Sequence, residues 1–155
     1  MTLEVLLNKA SFHLGSLWKL RINIDGFKSE NGDELVTQAS IGRSFQMIDC
    51  FKSNYKNKET IDKVKVRLLE DDYICWFRFS ELIDQASKIE SWESEFCTED
   101  KIISKIPDIL SWAKAAKKIQ NEYLWGGTIG PNFDCSGLVQ SAFASSGIWL
   151  SLIHI

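Results

Sequence analysis

Histidine and cysteine are both scarce in this sequence, with two histidines and four cysteines among 155 residues. The cysteines, at positions 50, 75, 97 and 135, form no CxxC pair, and two histidines add little to a ligand set. We therefore expect no structural zinc, no other metal and no cofactor. Scattered unpaired cysteines are typical of a reducing compartment, which predicts a cytoplasmic protein.

A basic excess and long apolar runs are also missing. The net charge of −3 at pH 7 leaves no basic face to neutralise phosphates, which argues against nucleic acid as a partner. No stretch approaches the roughly 20 apolar residues of a membrane span, and the N-terminus lacks the pattern of a secretory signal. We expect neither nucleic acid nor membrane as a partner. The composition does not indicate an oligomeric state.

Short alternating segments in the first half are typical of a small β-barrel. In the clearest of them, Val64, Val66 and Leu68 share one face. The polar region 85–100 lacks periodicity and is interpreted as a linker, with a domain boundary near residue 95. Strands are predicted at residues 17–24, 63–70 and 74–79, turns at Gly26, residues 31–32 and residues 54–57, and a helical turn at residues 80–84.

Two helices are predicted in the second half. The first runs from about Thr98, a good N-cap, to Asn121, and Pro107 either kinks it or begins a second helix there. The second contains the run LVQSAFASSG and ends at Gly147 in a left-handed conformation. One apolar stripe of the first helix is expected to be core: Ile109, Trp112, Ala113 and Ala116, with Ile119 or Gln120.

The stretch YLWGGTIGPNFDCSG, residues 123–137, places Cys135 on the first turn of that second helix. Unpaired N–H groups and the helix dipole there favour the thiolate, and the same N–H groups can hold a developing oxyanion. Gly126, Gly127 and Gly130 allow a backbone to approach a substrate closely. From the residues alone, Cys135 is either a nucleophile or a buried structural cysteine at a helix start.

The full string resembles the NlpC-type family of papain-like peptidoglycan cysteine endopeptidases, through YLWGG, Pro131 and FDCSGLVQSAF. A weaker resemblance, carried by EDDYICW at residues 70–76, is to the bacterial SH3-like domain that precedes this peptidase. The resemblance implies an α+β fold. Residues 1–95 would be the SH3-like β-barrel with its linker, and residues 96–155 the helical N-terminal part of a papain-like peptidase domain without its central sheet.

The same resemblance implies a thiol protease, a hydrolase of cell-wall turnover in bacteria, that cleaves γ-D-glutamyl to diamino-acid bonds. Its substrates would be murein peptides with a free N-terminal L-Ala. Cys135 would be catalytic, and Asp134, Ser136, Trp125 and Tyr73 would bind substrate. A cationic amine needs carboxylates and aromatic faces, which these positions offer. The carboxylates of residues 70–72 either join that pocket or form a solvated acidic turn.

This sequence departs from the family that it resembles in the residue that would serve as general base. A cysteine peptidase needs an imidazole, which in the family lies on the central sheet, several tens of residues after the cysteine. Neither His13 nor His154 occupies that position. We therefore expect a truncated peptidase without activity of its own. The alternatives are a non-catalytic SH3-like module that binds wall peptides and a generic thiol acyltransferase. Tyr123 is expected in the core, and Lys117 and Lys118 on a solvated helix surface.

Overall fold

The computed structural model describes residues 12–55 and 58–151, and the first part of these residues is an antiparallel sheet. Its strands follow the order β3-β2-β6-β5-β4-β1-β7, so β3 and β7 are its two edges and the predicted barrel closure is not confirmed. The strands are β1 Leu17–Leu20, β2 Ile24–Phe27, β3 Leu35–Ala39, β4 Ser44–Tyr55, β5 Lys58–Leu68, β6 Ile74–Arg78 and β7 Ala86–Ile89.

The core of the sheet follows the alternation seen in the sequence. Val64, Val66 and Leu68 on β5 are fully buried, which confirms the predicted inward face. Val64 pairs with Phe77 of β6, and the ring of Phe77 meets that of Phe45 edge-on at 5.7 Å between centroids. Large apolar side chains on one face of three neighbouring strands therefore make one continuous cluster.

Three strand-level predictions were wrong. The segment 17–24 contains two strands, because a turn at residues 21–23 separates β1 from β2. Gly26 lies inside β2, where a side chain would collide with Thr37 and Cys75 on the neighbouring strands. Residues 86–89 of the predicted linker form β7, which pairs with β1.

The helices are α1 Phe79–Leu82, α2 Glu99–Lys117 and α3 Cys135–Ala144. Thr98 caps α2 as predicted, since its side chain accepts a hydrogen bond from the Lys101 N–H. The helix continues through Pro107 and packs on α3 through Ile109, while Ile119 and Gln120 are exposed. No helix within the described ranges is long and apolar enough to span a membrane.

Candidate active site

Asp134 organises the start of α3. Its Oδ1 accepts hydrogen bonds from the Gly137 N–H at 2.7 Å and the Ser136 hydroxyl at 2.9 Å, and its Oδ2 accepts one from the Gly126 N–H at 2.9 Å. The carboxylate thus caps the helix and ties the preceding loop to it. Cys135, the first residue of α3, is exposed and in no disulfide.

The glycines of the loop allow backbone to pack directly on backbone. A side chain at Gly137 would overlap the Gly127 carbonyl oxygen, so only glycine lets α3 lie this close to the loop. Gly126 has a φ of +73°, and a side chain there would come within 2.8 Å of the Leu35 carbonyl oxygen on β3. The loop is therefore pressed between α3 and the edge of the sheet.

Gln38 on β3 fastens this loop to the sheet. Its N–H donates to the Thr128 hydroxyl at 3.1 Å, and that hydroxyl donates to the Gln38 carbonyl at 2.6 Å. The side-chain oxygen of Gln38 accepts from the Thr128 and Ile129 N–H groups at 3.3 and 3.2 Å. Sequence reasoning missed Gln38 and Thr128, because β3 was not among the predicted strands and no local pattern links residues 90 positions apart.

A cleft of about 190 Å³, the sheet-side cleft, opens beside Cys135. The structure brings all five sequence-predicted site residues to it, and among the described residues Asp134 is the only charged side chain in its lining. Asp134, Cys135 and Ser136 come from the loop and α3, Trp125 from the loop, and Tyr73 from the turn between β5 and β6. The full lining is Val36, Tyr73, Tyr123, Trp125, Gly126, Thr128, Asp134, Cys135 and Ser136.

Tyr73 lines this cleft from the sheet side together with Val36 of β3. Its hydroxyl lies 3.5 Å from the Val36 carbonyl oxygen, and its N–H donates to Asp71 Oδ1 at 3.2 Å. Partial burial raises the pKa of the Tyr73 phenol, and Cys75, Asp71 and Asp134 raise it further. The phenol therefore stays neutral, as a hydrogen-bonding and aromatic wall.

A second cleft, the helix-side cleft, also has Cys135 in its lining and lies between α2 and α3. Tyr123 borders both clefts and is 67% exposed, so the expectation that it belongs to the core was wrong. Lys117 lines the helix-side cleft as well. The full lining is Ala113, Ala116, Lys117, Asn121, Tyr123, Phe133, Asp134, Cys135 and Leu138.

Asp71 is neither a substrate carboxylate nor part of a solvated turn. It is 4% exposed, and it accepts hydrogen bonds from Arg43 at 2.6 Å and from Gln140 of α3 at 2.7 Å. Glu70 accepts from the Arg43 Nε–H and the Ser44 N–H. Asp72 is exposed, and none of the three carboxylates lines the sheet-side cleft. The buried Asp71 carboxylate, paired with Arg43, therefore connects the sheet to α3.

An imidazole is missing from both clefts within residues 12–55 and 58–151. The histidine in that part of the chain, His13, lies against the Leu14 carbonyl and borders neither cleft. His154 lies outside the described residues. The described residues also hold no cluster of three or more histidine, cysteine or carboxylate side chains fit for a metal ion.

Residues 120–152 match the NlpC/P60 family. The matched segment contains the loop, Cys135 and α3, which are the residues that carried the resemblance in the sequence. Among solved structures, NlpC2 from Trichomonas vaginalis is similar at 15% identity, over 90% of this chain and 69% of that one, with a TM-score of 0.36. No curated protein matches the chain.

Proposed function

We propose that this chain carries the nucleophile of a cysteine endopeptidase that acts on peptidoglycan-derived peptides. It also carries the amine-binding wall of that enzyme, which consists of Asp134, Tyr73 and Trp125. The observation that carries the proposal is the exposed Cys135 at the start of α3, in a cleft where Asp134 is the one charged lining residue within the described part of the chain. The NlpC/P60 match over the same residues supports a cysteine peptidase of cell-wall peptides. Action on peptides recycled in the cytoplasm is part of the proposal.

The proposed reaction is hydrolysis of the γ-D-glutamyl to diamino-acid bond. The Cys135 thiolate adds to the carbonyl carbon, and the first N–H groups of α3 stabilise the oxyanion. The C–N bond then breaks, the leaving nitrogen takes up a proton from a general acid that lies outside the described residues, and a thioester remains on the sulfur. Water hydrolyses that thioester, releasing the D-glutamyl carboxylate and returning the thiol.

The proposed substrate presents a free N-terminal amine to the sheet-side cleft. An ammonium group there meets the Asp134 carboxylate and the aromatic faces of Tyr73 and Trp125, which together favour a cation. Ser136, whose hydroxyl donates to Asp134, helps to orient that carboxylate. Acetylation of the amine removes the positive charge and leaves the carboxylate without its ionic partner.

A binding module is the second candidate, favoured by the absence of an imidazole from both clefts in the described part of the chain. Such a module would hold the same peptide without cleaving it. Cleavage of the peptide by this chain would exclude the binding module, whereas absence of cleavage is expected of both candidates. Expelling an amine requires a proton on the leaving nitrogen, and general acid–base catalysis of that step contributes about two to four powers of ten in rate.

Peptide binding is tested by protection of Cys135 from iodoacetamide, which requires no turnover. L-Ala-γ-D-Glu-diaminopimelate should slow alkylation of Cys135, while its N-acetyl form should not, and Tyr73→Ala should weaken the protection. Equal protection by the free and acetylated peptides would contradict the amine-binding wall.

The 155-residue chain should not cleave this tripeptide at a measurable rate, because the described residues bring no general base to Cys135. The assay is release of the diamino acid, measured by mass spectrometry, with Cys135→Ala as the control. Cleavage that disappears in both Cys135→Ala and His154→Ala would show that His154 supplies the base and that the chain is an enzyme by itself.

A further inference from the structure

Cys135 lies where two clefts meet. Tyr123, Asp134 and Cys135 line both the sheet-side and the helix-side cleft, so both clefts adjoin the nucleophile. A nucleophile that splits a peptide must accommodate both halves of its substrate. Under the proposed function, the sheet-side cleft takes the half that stays on the sulfur, and the helix-side cleft is open for the half that leaves.

The two clefts differ in charge. The oxygens of Asp134 accept hydrogen bonds from Gly126, Ser136 and Gly137, and the first two of these residues line only the sheet-side cleft. Asp134 itself lines both clefts, so the carboxylate is common to them and two of its donors belong to the sheet-side lining. Lys117 lines only the helix-side cleft, and it has no ion-pair partner among residues 12–55 and 58–151.

The remaining walls of the helix-side cleft are mostly apolar. Ala113 and Ala116 of α2 face Phe133 and Leu138 across it. An unpaired ammonium group beside apolar walls suits a ligand that carries a carboxylate together with an aliphatic chain. Lys117 is exposed at the end of α2, as the sequence predicted, and it lines the same cleft as Cys135.

We propose that the helix-side cleft binds the leaving half of the substrate and that Lys117 receives its carboxylate. This inference rests on the proposed function for the direction of cleavage, and it makes Lys117 a specificity-determining residue. The leaving diamino acid has the chemistry that the cleft offers to bind, since it combines an aliphatic chain with a carboxylate.

The charge of the cleft is tested with two small reagents of similar shape, iodoacetate and iodoacetamide. Both are attacked by the Cys135 sulfur with loss of iodide, and only iodoacetate carries a carboxylate. Lys117→Gln should lower the ratio of the iodoacetate to the iodoacetamide rate about two- to fivefold, as expected for an exposed charge pair. The ratio cancels any change in the reactivity of the thiol itself.

Lys118→Gln is the matched control, because Lys118 is the neighbouring exposed lysine and lines neither cleft. It should leave the ratio unchanged. The same ratio in wild type and Lys117→Gln, or an equal fall in Lys118→Gln, would overturn the assignment of Lys117.

The assignment to the leaving half is tested with L-Ala-γ-D-Glu-L-Lys and its C-terminal amide. The free acid should protect Cys135 from iodoacetamide better than the amide does, and Lys117→Gln should abolish the difference. Equal protection by acid and amide in the wild type would overturn the leaving-half assignment. Failure of both peptides to protect would count against the proposed function, while the reagent ratio would still decide whether Lys117 draws a carboxylate to Cys135.

Discussion

Two cysteines of this protein sit in opposite environments. Cys135 is exposed at the start of α3, whereas Cys75 is buried in the sheet opposite Val66 of β5. Burial raises the pKa of the Cys75 thiol above its ordinary value of 9.0, with Arg43 opposing the rise and Asp71 adding to it. An alkylating reagent added to the folded protein should therefore modify Cys135 and leave Cys75 unmodified.

The same shift makes stability depend on alkaline pH. Above about pH 9 the unfolded chain loses the Cys75 proton while the folded chain keeps it, so unfolding releases a proton and the free energy of unfolding falls as pH rises. One proton corresponds to a slope of up to about 1.4 kcal/mol per pH unit. Cys75→Ala should remove this slope in urea unfolding between pH 8.5 and 10.5.

Val66→Ala is the control for that measurement, because it loses packing at the same place without losing a titrating group. It should lower stability at every pH and keep the alkaline slope. An unchanged slope in Cys75→Ala would mean that this thiol does not couple folding to protons.

At the scale of elements, α3 has a glycine near each end, with a different role at each. Gly137, in the first turn, allows the helix to touch the Gly127 carbonyl. Gly147, just after the helix, has a φ of +78° and no atom near enough to clash with a side chain. Glycine is needed at position 137 because there is no room for a side chain, and it is favoured at position 147 because the backbone is left-handed there.

Substituting alanine at each glycine should separate these roles. Gly147→Ala should cost about 1–2 kcal/mol of unfolding free energy from the left-handed backbone, and leave Cys135 alkylation unchanged. Gly137→Ala should cost about 1–3 kcal/mol or more from overpacking, and should change the alkylation rate because the loop must move away from α3. If both variants alkylate like the wild type, Gly137 does not position the nucleophile.

Elements with strong local signals could be predicted from the sequence. The cap at Thr98, the helix start at Cys135 and the left-handed Gly147 depend on side chains a few residues apart, and all three are confirmed. The edge strand β7, with the sequence ASKI, has no apolar alternation, and it is a strand because β1 supplies a hydrogen-bonding partner. In such a short polar segment the sequence contains no pattern from which pairing with a distant strand can be predicted.

At the scale of the whole molecule, a buried ion pair joins the sheet to the nucleophile helix. Asp71 binds Arg43, which directly precedes β4, and Gln140 on α3, and the Arg43 guanidinium also lies 4.5 Å from the centre of the Trp149 ring. Asp71→Asn should cost about 3–5 kcal/mol of unfolding free energy, because it weakens a buried charge network without replacing it.

Asp72→Asn is the matched control, since Asp72 is the exposed neighbour and asparagine accepts its left-handed φ of 59°. It should change stability by less than about 0.5 kcal/mol in the same urea titration. Equal costs for the two variants would show that the buried network contributes nothing specific.

The composition of the candidate site could be predicted only in part. Cys135, Asp134 and Ser136 are adjacent in the sequence, and their string carried the family resemblance. The role of Asp71 could not be predicted, because its partners lie 28 and 69 positions away and the acidic run resembles any surface turn. The exposure of Tyr123 likewise depends on how α2 and the loop pack, which no local pattern encodes.

The bonds from Gln38 and Asp71 reach the loop and α3 directly across space, so residues 90–98 need not hold the sheet against the nucleophile. Before Cys97, which packs on the helical core, and Thr98, which caps α2, this connection has no helix or strand, and we expect its length to matter little, because doubling the length of a flexible loop costs only about 0.6 kcal/mol. Insertions of glycine and serine there would be tolerated, and a chain cut at this point could reassemble from its two pieces. The sheet and the segment that contains α2, the loop and α3 are therefore held together more by the surface that they share than by the peptide that connects them.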